Sequence, residues 1–551
     1  MTADTLPWWK TATGYQIYPR SFCDSNGDGI GDIPGIISKL DHLADLGIGF
    51  VWLSPVYASP MRDNGYDISD YRDIAAEFGT LADFDQLVAE AGKRDIRIVM
   101  DLVVNHCSSD HAWFQRACET RDCPEHDYFY WRDPQPSTNG PPDDQRACFG
   151  GPAWVWVESV GRYYYAHFGA QQPDLNWHNP ALRHDIYDMM NWWLDKGIGG
   201  FRMDVIELIG KDVDARHYYE GPDMHRFIRE MHQKCLKGRD VMTVGETWAA
   251  TPDTALGYCG RDRAELDMVF NFNHIQAAWD PHQGRFGPNL FDLVTHKMIL
   301  NDWQVALAED GWNSLYLSNH DLPRPVSHYA DDGDYRVRSA KMLGLVTHMM
   351  KGTPFIYQGE EIGMTNVRFD RFEQFRDIET LGQFKDQIAA GKDPQAFIDG
   401  ANANGRDNAR TPMQWDAGHA AGFTQGTPWI DVNPNHRSIN LDQDRADPDG
   451  VFAFYRNMIA LRRNAPVITH GDFTLLYDEH PDVFAYIRRW QGQELLVVAS
   501  FAATSVEVKV PDAVGADGWT CLLSNLPSIK IGADRKLRLA PFAAAAWGKG
   551  I

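Results

Sequence analysis

Short runs of β-branched and aromatic residues alternate along this chain with longer stretches whose apolar positions recur every three or four residues. A short apolar run bounded by turn residues predicts a buried strand, and a 3.6-residue period predicts a helix with one buried face. Eight runs have the strand character: "GYQIYPRSF" (14–22), "GFVWLSPV" (49–56), "RIVMDLVVNH" (97–106), "GGFRMDVIE" (199–207), "DVMTVGETW" (240–248), "ELDMVFNF" (265–272), "WNSLYLSNHD" (312–321) and "TPFIYQGEEIG" (353–363). Helical patterns lie between them. In "DIPGIISKLDHLADLG", Ile36, Leu40, Leu43 and Leu46 share a face and Gly47 supplies the stop. "ALRHDIYDMMNWWLDKG" precedes the fourth strand and "YRVRSAKMLGLVTHMMKG" the eighth. Eight alternations predict an α/β protein built on a closed (β/α)8 TIM barrel, not an open doubly wound sheet.

Two insertions interrupt the alternation. Residues 105–173, rich in Pro, Gly, Asp and aromatics, are too long for a plain connection after strand three and predict a small excursion domain, domain B. Residues 364–446 form a second, looser insertion before the helix "DPDGVFAFYRNMIALRRN". From 471 onward, "FTLLY", "VFAYIRRW", "ELLVVASF" and "SVEVKV" predict a C-terminal all-β sandwich. The expected plan is barrel (1–104), domain B (105–173), barrel again (174–470) and β domain (471–551).

Composition narrows the function classes. A chain of 551 residues exceeds what one core supports, as the domain plan requires. No run approaches the roughly 18 apolar residues of a membrane span. The start, "MTADTLPWWK", lacks a basic segment followed by an apolar one, so a cytoplasmic location is expected. A net charge of −24 repels phosphate backbones and anionic lipids, which leaves no nucleic acid and no membrane among the expected partners; a small neutral substrate meets no such penalty. Most of the Trp, Tyr and Phe residues belong in the core, and a few offer flat faces to sugar rings. The eight cysteines lack paired metal-site spacing and are expected to be reduced thiols, Cys118 and Cys123 being the pair to check.

In this barrel fold reactive groups sit at the C-terminal strand ends. Strand three ends in Asn105 and His106, strand four in Arg202, Met203 and Asp204, strand five in Glu246, and strand seven in Asn319, His320 and Asp321. A lone aspartate at a strand end is more often a cap or turn former. Three acids converging on one mouth are another matter, because mutual repulsion in a low-dielectric pocket raises at least one pKa. Arg202, two residues from Asp204 and so on the same side of the strand, is placed to keep that neighbour ionised. Glycoside cleavage needs such a set: one carboxylate to attack the anomeric carbon, one protonated acid for the departing oxygen and a third to stabilise the cationic transition state.

"DLVVNH" (101–106), "GFRMDVIEL" (200–208), "GETW" (245–248) and "SNHD" (318–321), in this order, resemble the four signature regions of glycoside hydrolase family 13, the α-amylase superfamily. "QPDLNW" (172–177) resembles a fifth, in the form of its oligo-1,6-glucosidase subgroup, and the motifs together look most like the dextran glucosidases of that group. The resemblance implies Asp204 as nucleophile, Glu246 as general acid and then base, and Asp321 as transition-state stabiliser, with retention of the α-configuration and no catalytic cofactor. It implies that His106, Arg202 and His320 bind hydroxyls of the glucose, that Asp63 of "DNGYD" pairs with Arg410 of "NARTPMQW" at its far end, that Tyr66 stacks on it, and that Phe149 forms another wall; Asp101 is read as structural. A closed non-reducing end makes the enzyme exo-acting. Val205, directly after the nucleophile, goes with α-1,6 preference, although a methyl-scale difference is worth only about 1–3 kcal/mol.

The expected activity is release of glucose from isomaltose, isomalto-oligosaccharides and dextran. The competing readings are an α-1,4-preferring α-glucosidase, a transglucosylase or sucrose isomerase using the same intermediate, and the non-catalytic heavy subunits of amino-acid transporters, which carry an anchor and lack the full acid set. A separate feature is "DSNGDGIGD" (24–32). An EF-hand needs a bidentate acid at its twelfth position, which here is Gly35, so a calcium sensor is excluded. The side chains of Asp24, Asn26, Asp28 and Asp32 with the Ile30 carbonyl suit Ca2+. Related enzymes carry a structural calcium in this loop, so the ion is expected to brace the loop away from the chemistry.

Overall fold

The computed structural model describes residues 6–511, 514, 518–527, 529, 532 and 534–551, so the first five residues of the amino-terminal reading lie outside the described residues. All eight predicted barrel strands form: β1 (Gly14–Ile17), β2 (Phe50–Leu53), β3 (Arg97–Leu102), β4 (Gly200–Met203), β5 (Met242–Thr247), β6 (Met268–Asn271), β7 (Ser314–Leu315) and β8 (Thr353–Tyr357). They pair in parallel in the order β6-β5-β4-β3-β2-β1-β8-β7. Between β6 and β7 side chains bridge the seam: Ser314 Oγ donates to the Val269 carbonyl at 2.8 Å, and the Tyr316 hydroxyl donates to that of Asn271.

Each strand is shorter than its sequence run: Asp101, Arg202 and Glu246 stay within β3, β4 and β5, whereas His106, Asp204, His320 and Asp321 lie just beyond the C-terminal ends of their strands. Gly200, with φ of +136°, packs so closely on β5 that a Cβ would lie 1.8 Å from the Met242 carbonyl oxygen. Inside the barrel, Phe50, Phe355, Phe270 and Trp52 form an aromatic plug with ring centroids 4.7–5.6 Å apart in successive pairs. Arg202 lies over Trp52, so the plug is the floor of a polar mouth.

Helices α1 (Pro180–Asp195), α2 (Arg336–His348) and α4 (Val451–Asn464) match their sequence patterns. The first predicted helix is broken at Lys39 into Ile33–Ser38 and Leu40–Leu46, and Gly47 ends it in the left-handed region. Residues 105–173 contain a three-stranded antiparallel sheet of Trp131–Arg132, Arg162–Tyr165 and Trp154–Val157. The second insertion is not loose. It carries helix α3 (Ile378–Ala389) and helix Pro394–Asn404 around a cluster of Phe369, Phe375, Phe397 and Phe286. Its apolar residues are spaced too irregularly to announce a helix face.

The C-terminal domain is a five-stranded antiparallel sheet of β9 (Asp472–Leu476), β10 (Val483–Trp490), β11 (Gln493–Ser500), β12 (Thr520–Ser524) and β13 (Ala544–Lys549), with a two-stranded ribbon of Val506–Lys509 and Lys536–Leu539. Period-two alternation divides its faces. Phe484 and Tyr486 join the barrel core, whereas Val483, Ala485 and Ile487 join the ribbon. All eight cysteines are free thiols.

Candidate active site

Arg202 is the centre of the mouth and is 1% exposed. One of its terminal nitrogens donates to both oxygens of Asp101, at 2.8 and 3.0 Å, and to Asp204 Oδ1 at 2.9 Å; the other donates to Glu246 Oε2. Strands β3, β4 and β5 lie side by side, which brings these acids onto one guanidinium. Asp101 also accepts from Trp52 Nε1 and from the Tyr66 hydroxyl, so it fixes the ring that the sequence reading expects under the sugar. Tyr66 stacks on His320 at 5.1 Å.

Glu246 is held from three sides: Oε1 accepts from Trp248 Nε1 at 3.0 Å, and Oε2 accepts from Arg202 and from the Val205 N–H at 3.2 Å. Val205 has φ of +34°. A β-branched residue there is strained, at a cost of about 1–3 kcal/mol, and the strained backbone is what turns this N–H toward the acid.

One cation facing three buried acids leaves a deficit of positive charge. Burial pushes the Asp204 carboxyl well above its usual range; Arg202 opposes this, while Glu246 and Asp101 add to it. Burial likewise raises Asp101 to about 6 despite Arg202. Arg202 pulls the Asp204 carboxyl down, but its charge is shared three ways, and burial with the two neighbouring acids outweighs it.

At the other side of the mouth the balance reverses. Asp321 accepts from Arg410 Nη2 at 2.7 Å and from Arg406 Nη1 at 3.4 Å. Burial pushes its carboxyl up, yet the positive charge gathered around it, at neutral pH the Arg406 and Arg410 guanidiniums, outweighs burial and holds it well below the usual range. Buried Asp377, 2.6 Å from Arg406, is lowered to about 2 by the two arginines, which overcome burial in the same way. Asp63 lies 3.5 Å from Arg406 and accepts from Gln172 Nε2 at 2.9 Å; burial raises it to about 7 against the pull of Arg406 and Arg410. The histidines are neutral, since burial lowers His106 to about 4 and His320 to about 3.

These residues open into a cavity of about 630 Å³, lined in part by Asp63, Tyr66, His106, Phe149, Asp204, Val205, Glu246 and Asp321, a size suited to a small organic ligand. The expected pairing of Asp63 with Arg410 is corrected: Arg406 faces Asp63 and lines the cavity, while Arg410 is wholly buried behind Asp321 and bonds the His320 carbonyl and Asp377. The two arginines are four residues apart, one helical turn, so the motif signalled the region but not which of them points inward. Phe149 lies against the Arg406 guanidinium, 4.8 Å from ring centroid to cation. Sequence reading also missed Trp248, Trp279, Phe168, Gln172 and Arg285 in the wall. Trp248 and Gln172 stand within the motifs "GETW" and "QPDLNW", whereas Trp279 and Arg285 come from a connection with no pattern of its own.

The loop 24–32 stands apart from this cavity. Asp24 Oδ1 accepts from the N–H groups of Asn26 and Gly27, Oδ2 from that of Gly29 and from Thr424 Oγ1; Asn26 and Asp28 each cap the residue two further on. Asp32 caps the following helix through Gly35 and accepts from Ser25. Among the described residues no group of three His, Cys, Asp or Glu side chains forms a metal cluster.

Comparison with known proteins gives two family matches: the alpha amylase catalytic domain over residues 16–471 and the maltogenic amylase C-terminal domain over 473–545. A palatinase of Erwinia rhapontici is 51% identical over 95% of both chains. An oligo-1,6-glucosidase of Halalkalibacterium halodurans is 48% identical over 98% of both. The crystal structure of an isomaltulose synthase from Klebsiella sp. LX3 superposes with a TM-score of 0.95 at 39% identity, covering 99% of this chain and all of that one.

Proposed function

The chain belongs to the alpha-amylase family of glycoside hydrolases, and from that premise we propose a retaining, exo-acting α-glucosidase that removes glucose from the non-reducing end of α-1,6-linked gluco-oligosaccharides. One observation carries the reading: Asp204 and Glu246 sit on the two terminal nitrogens of a single buried guanidinium, with ionised Asp321 opposite. The retaining mechanism gives the two acids different roles, Glu246 the proton donor and Asp204 the nucleophile. The Asp204 carboxylate attacks the anomeric carbon as Glu246 protonates the departing oxygen, giving a covalent glucosyl ester. Glu246 then takes a proton from water, the hydroxide equivalent attacks the same carbon, and Asp204 leaves. Two inversions retain the configuration.

Asp321, already negative, stabilises the positive charge that develops at the anomeric centre. His106 and His320, both neutral, exchange hydrogen bonds with sugar hydroxyls, Tyr66 offers its face, and Asp63 with Arg406 grips the far end. No step in this scheme calls for a cofactor. Initial rates on isomaltose, isomaltotriose, dextran and maltose test the assignment, with the α-1,6 substrates expected to be preferred; equal or faster turnover of maltose sinks the linkage claim.

The solved isomaltulose synthase favours a second reading, in which the same ester is handed to a sugar hydroxyl. Product analysis in concentrated sucrose and isomaltose separates the two, since dominant transfer or isomerisation products exclude the hydrolase.

Three finer points complete the proposal. Ca2+ would be held by Asp24, Asn26, Asp28 and Asp32 with the Ile30 carbonyl; the oxygen-only donor set supports this, and the Asn26 and Asp28 oxygens that accept one N–H each keep a second lone pair for the ion, whereas both Asp24 oxygens accept two bonds and would exchange one of them for it. The ion would brace the loop and take no part in the reaction. Chelation should lower the melting temperature, and an unchanged one removes the ion. The free thiols support a reducing, cytoplasmic setting. The charge of −24 supports a neutral sugar and no nucleic acid as partner; among the described residues no helix is long and apolar enough to cross a membrane.

A further inference from the structure

Helix α3 of the second insertion lies directly on the domain B loop 146–151, which is far from it in sequence. The contact is backbone against backbone: a Cβ on Gly382 would lie 1.7 Å from the Phe149 carbonyl oxygen, and a Cβ on Gly150, whose φ is +93°, would meet the Gly382 carbonyl at 3.1 Å. Polar bonds flank it. Gln383 Nε2 donates to the Cys148 carbonyl at 2.8 Å, Arg146 pairs with Asp386 at 2.5 Å, and the Gly151 N–H donates to the same Asp386 oxygen at 3.3 Å.

Both partners of this contact border the cavity, Cys148 and Phe149 from one side and Gln383 and Gln387 from the other. The helix is also tied to the cavity floor. Its N-cap, Asp377, receives the N–H groups of Glu379 and Thr380 and bonds both Arg406 and Arg410. Arg406 in turn carries Phe149 on its face and faces Asp63. One rigid helix therefore joins the cations at the far end of the pocket to the loop that roofs it.

We propose that the Gly382–Phe149 contact, with its Arg146–Asp386 and Gln383–Cys148 bonds, is a latch that sets chain-end specificity: it shuts the pocket beyond the terminal glucose and excludes a chain continuing past its 6-hydroxyl. This rests on the glucosidase reading and assigns its exo character to a contact in which Gly382 and Asp386 act as positioning residues, set behind the Phe149 and Gln383 side of the cavity wall. A glycine at 382 is required because any side chain there pushes the Phe149 carbonyl, and with it the roof, away from Arg406. Alanine is the better helix former, so Gly382→Ala leaves α3 itself intact and removes only the close approach.

The test compares two substrates, isomaltotriose and isomaltotriose carrying a 6-O-benzyl group on its non-reducing glucose, the position through which an α-1,6-linked chain would continue. The parent should cleave the first and reject the second. Gly382→Ala should raise KM for the free substrate more than it lowers kcat, and should raise the blocked-to-free ratio of kcat/KM by about tenfold or more. Asp386→Ala, which inserts no atoms and removes the ion pair, should move the ratio the same way by less, and it carries the test if the alanine at 382 prevents folding. Calorimetric binding of glucose and of 6-O-benzyl glucose gives the same comparison without turnover. A parent inactive on free isomaltotriose defeats the glucosidase reading, and the binding ratio then judges the latch alone. Variants that fold and keep the parental ratio in both measurements overturn the latch.

Discussion

The two sides of the mouth are built from the same residue types at the same depth and end in opposite charge states. Around Arg202, three buried acids share one guanidinium, and burial wins: Asp204 and Asp101 are both raised. Around Asp321, two guanidiniums converge and burial loses, so Asp321 and Asp377 are both lowered. The difference teaches that burial raises every one of these carboxyls and that only those bonded closely to the arginine pair escape it. A retaining glycosidase needs both conditions side by side, a cluster that retains one transferable proton and an acid that never takes one.

The largest way to break this division is to remove a reacting group. Asp204→Asn and Glu246→Gln should each cut kcat on isomaltose by a factor on the order of 10⁴ or more, measured under substrate saturation. Their stabilities sharpen the contrast with Asp321. Asp204→Asn relieves a carboxyl whose ionised form is already costly, so its melting temperature should hold or rise. Asp321→Asn leaves Arg410 and Arg406 short of a buried partner and should lose about 3 kcal/mol in denaturant titration, besides nearly all turnover. Equal stability losses in the two variants would remove the claimed asymmetry.

Much of this was legible before any coordinates. All eight barrel strands, the C-terminal β domain and the positions of Asp204, Glu246 and Asp321 at strand ends follow from local patterns, because strand period and strand-end polarity are short-range signals. What escaped the sequence is long-range. The rotation of the 407–410 turn, which sends Arg406 inward and buries Arg410, depends on Asp377 and Asp321 arriving from elsewhere. The helices of the second insertion pack on Phe286, a residue outside that insertion. The net direction of the Asp204 shift depends on Asp101 and Glu246 arriving on neighbouring strands, which a reading of β4 alone does not weigh.

A smaller test uses pH. Asp63 lies between the two regimes: two arginines pull on its carboxyl, and burial still raises it to about 7. Above that value it is a carboxylate able to pair with Arg406 and accept from a sugar; below it the proton removes both. The kcat/KM profile, which reports the free enzyme, should therefore fall on the acid side with an apparent pKa near 7. Asp63→Asn should lower the plateau by about 10²-fold and abolish that limb. The stability sign is opposite to the activity sign. A carboxyl raised from 3.8 to about 7 on folding binds its proton more tightly in the folded state, so it costs stability as pH rises through that window. Activity gained and melting temperature lost over the same pH range is the signature expected of the parent and absent from the variant.

The smallest expected effect concerns Val205. Its side chain borders the cavity while its strained backbone aims an N–H at Glu246, so one residue carries two separable roles. Val205→Ala trims the wall beside the leaving group and keeps the N–H, and it should shift the ratio of α-1,6 to α-1,4 kcat/KM toward maltose by about tenfold with little change in kcat on isomaltose. Val205→Gly trims the wall further and also removes the steric cost of the positive φ, so the backbone is no longer forced through this one conformation. If wall and backbone act separately, glycine should match or exceed alanine in the linkage ratio but lose kcat where alanine does not. If glycine and alanine behave alike in both parameters, the strain at 205 has no part in aligning Glu246, and the acid is held by Arg202 and Trp248 alone.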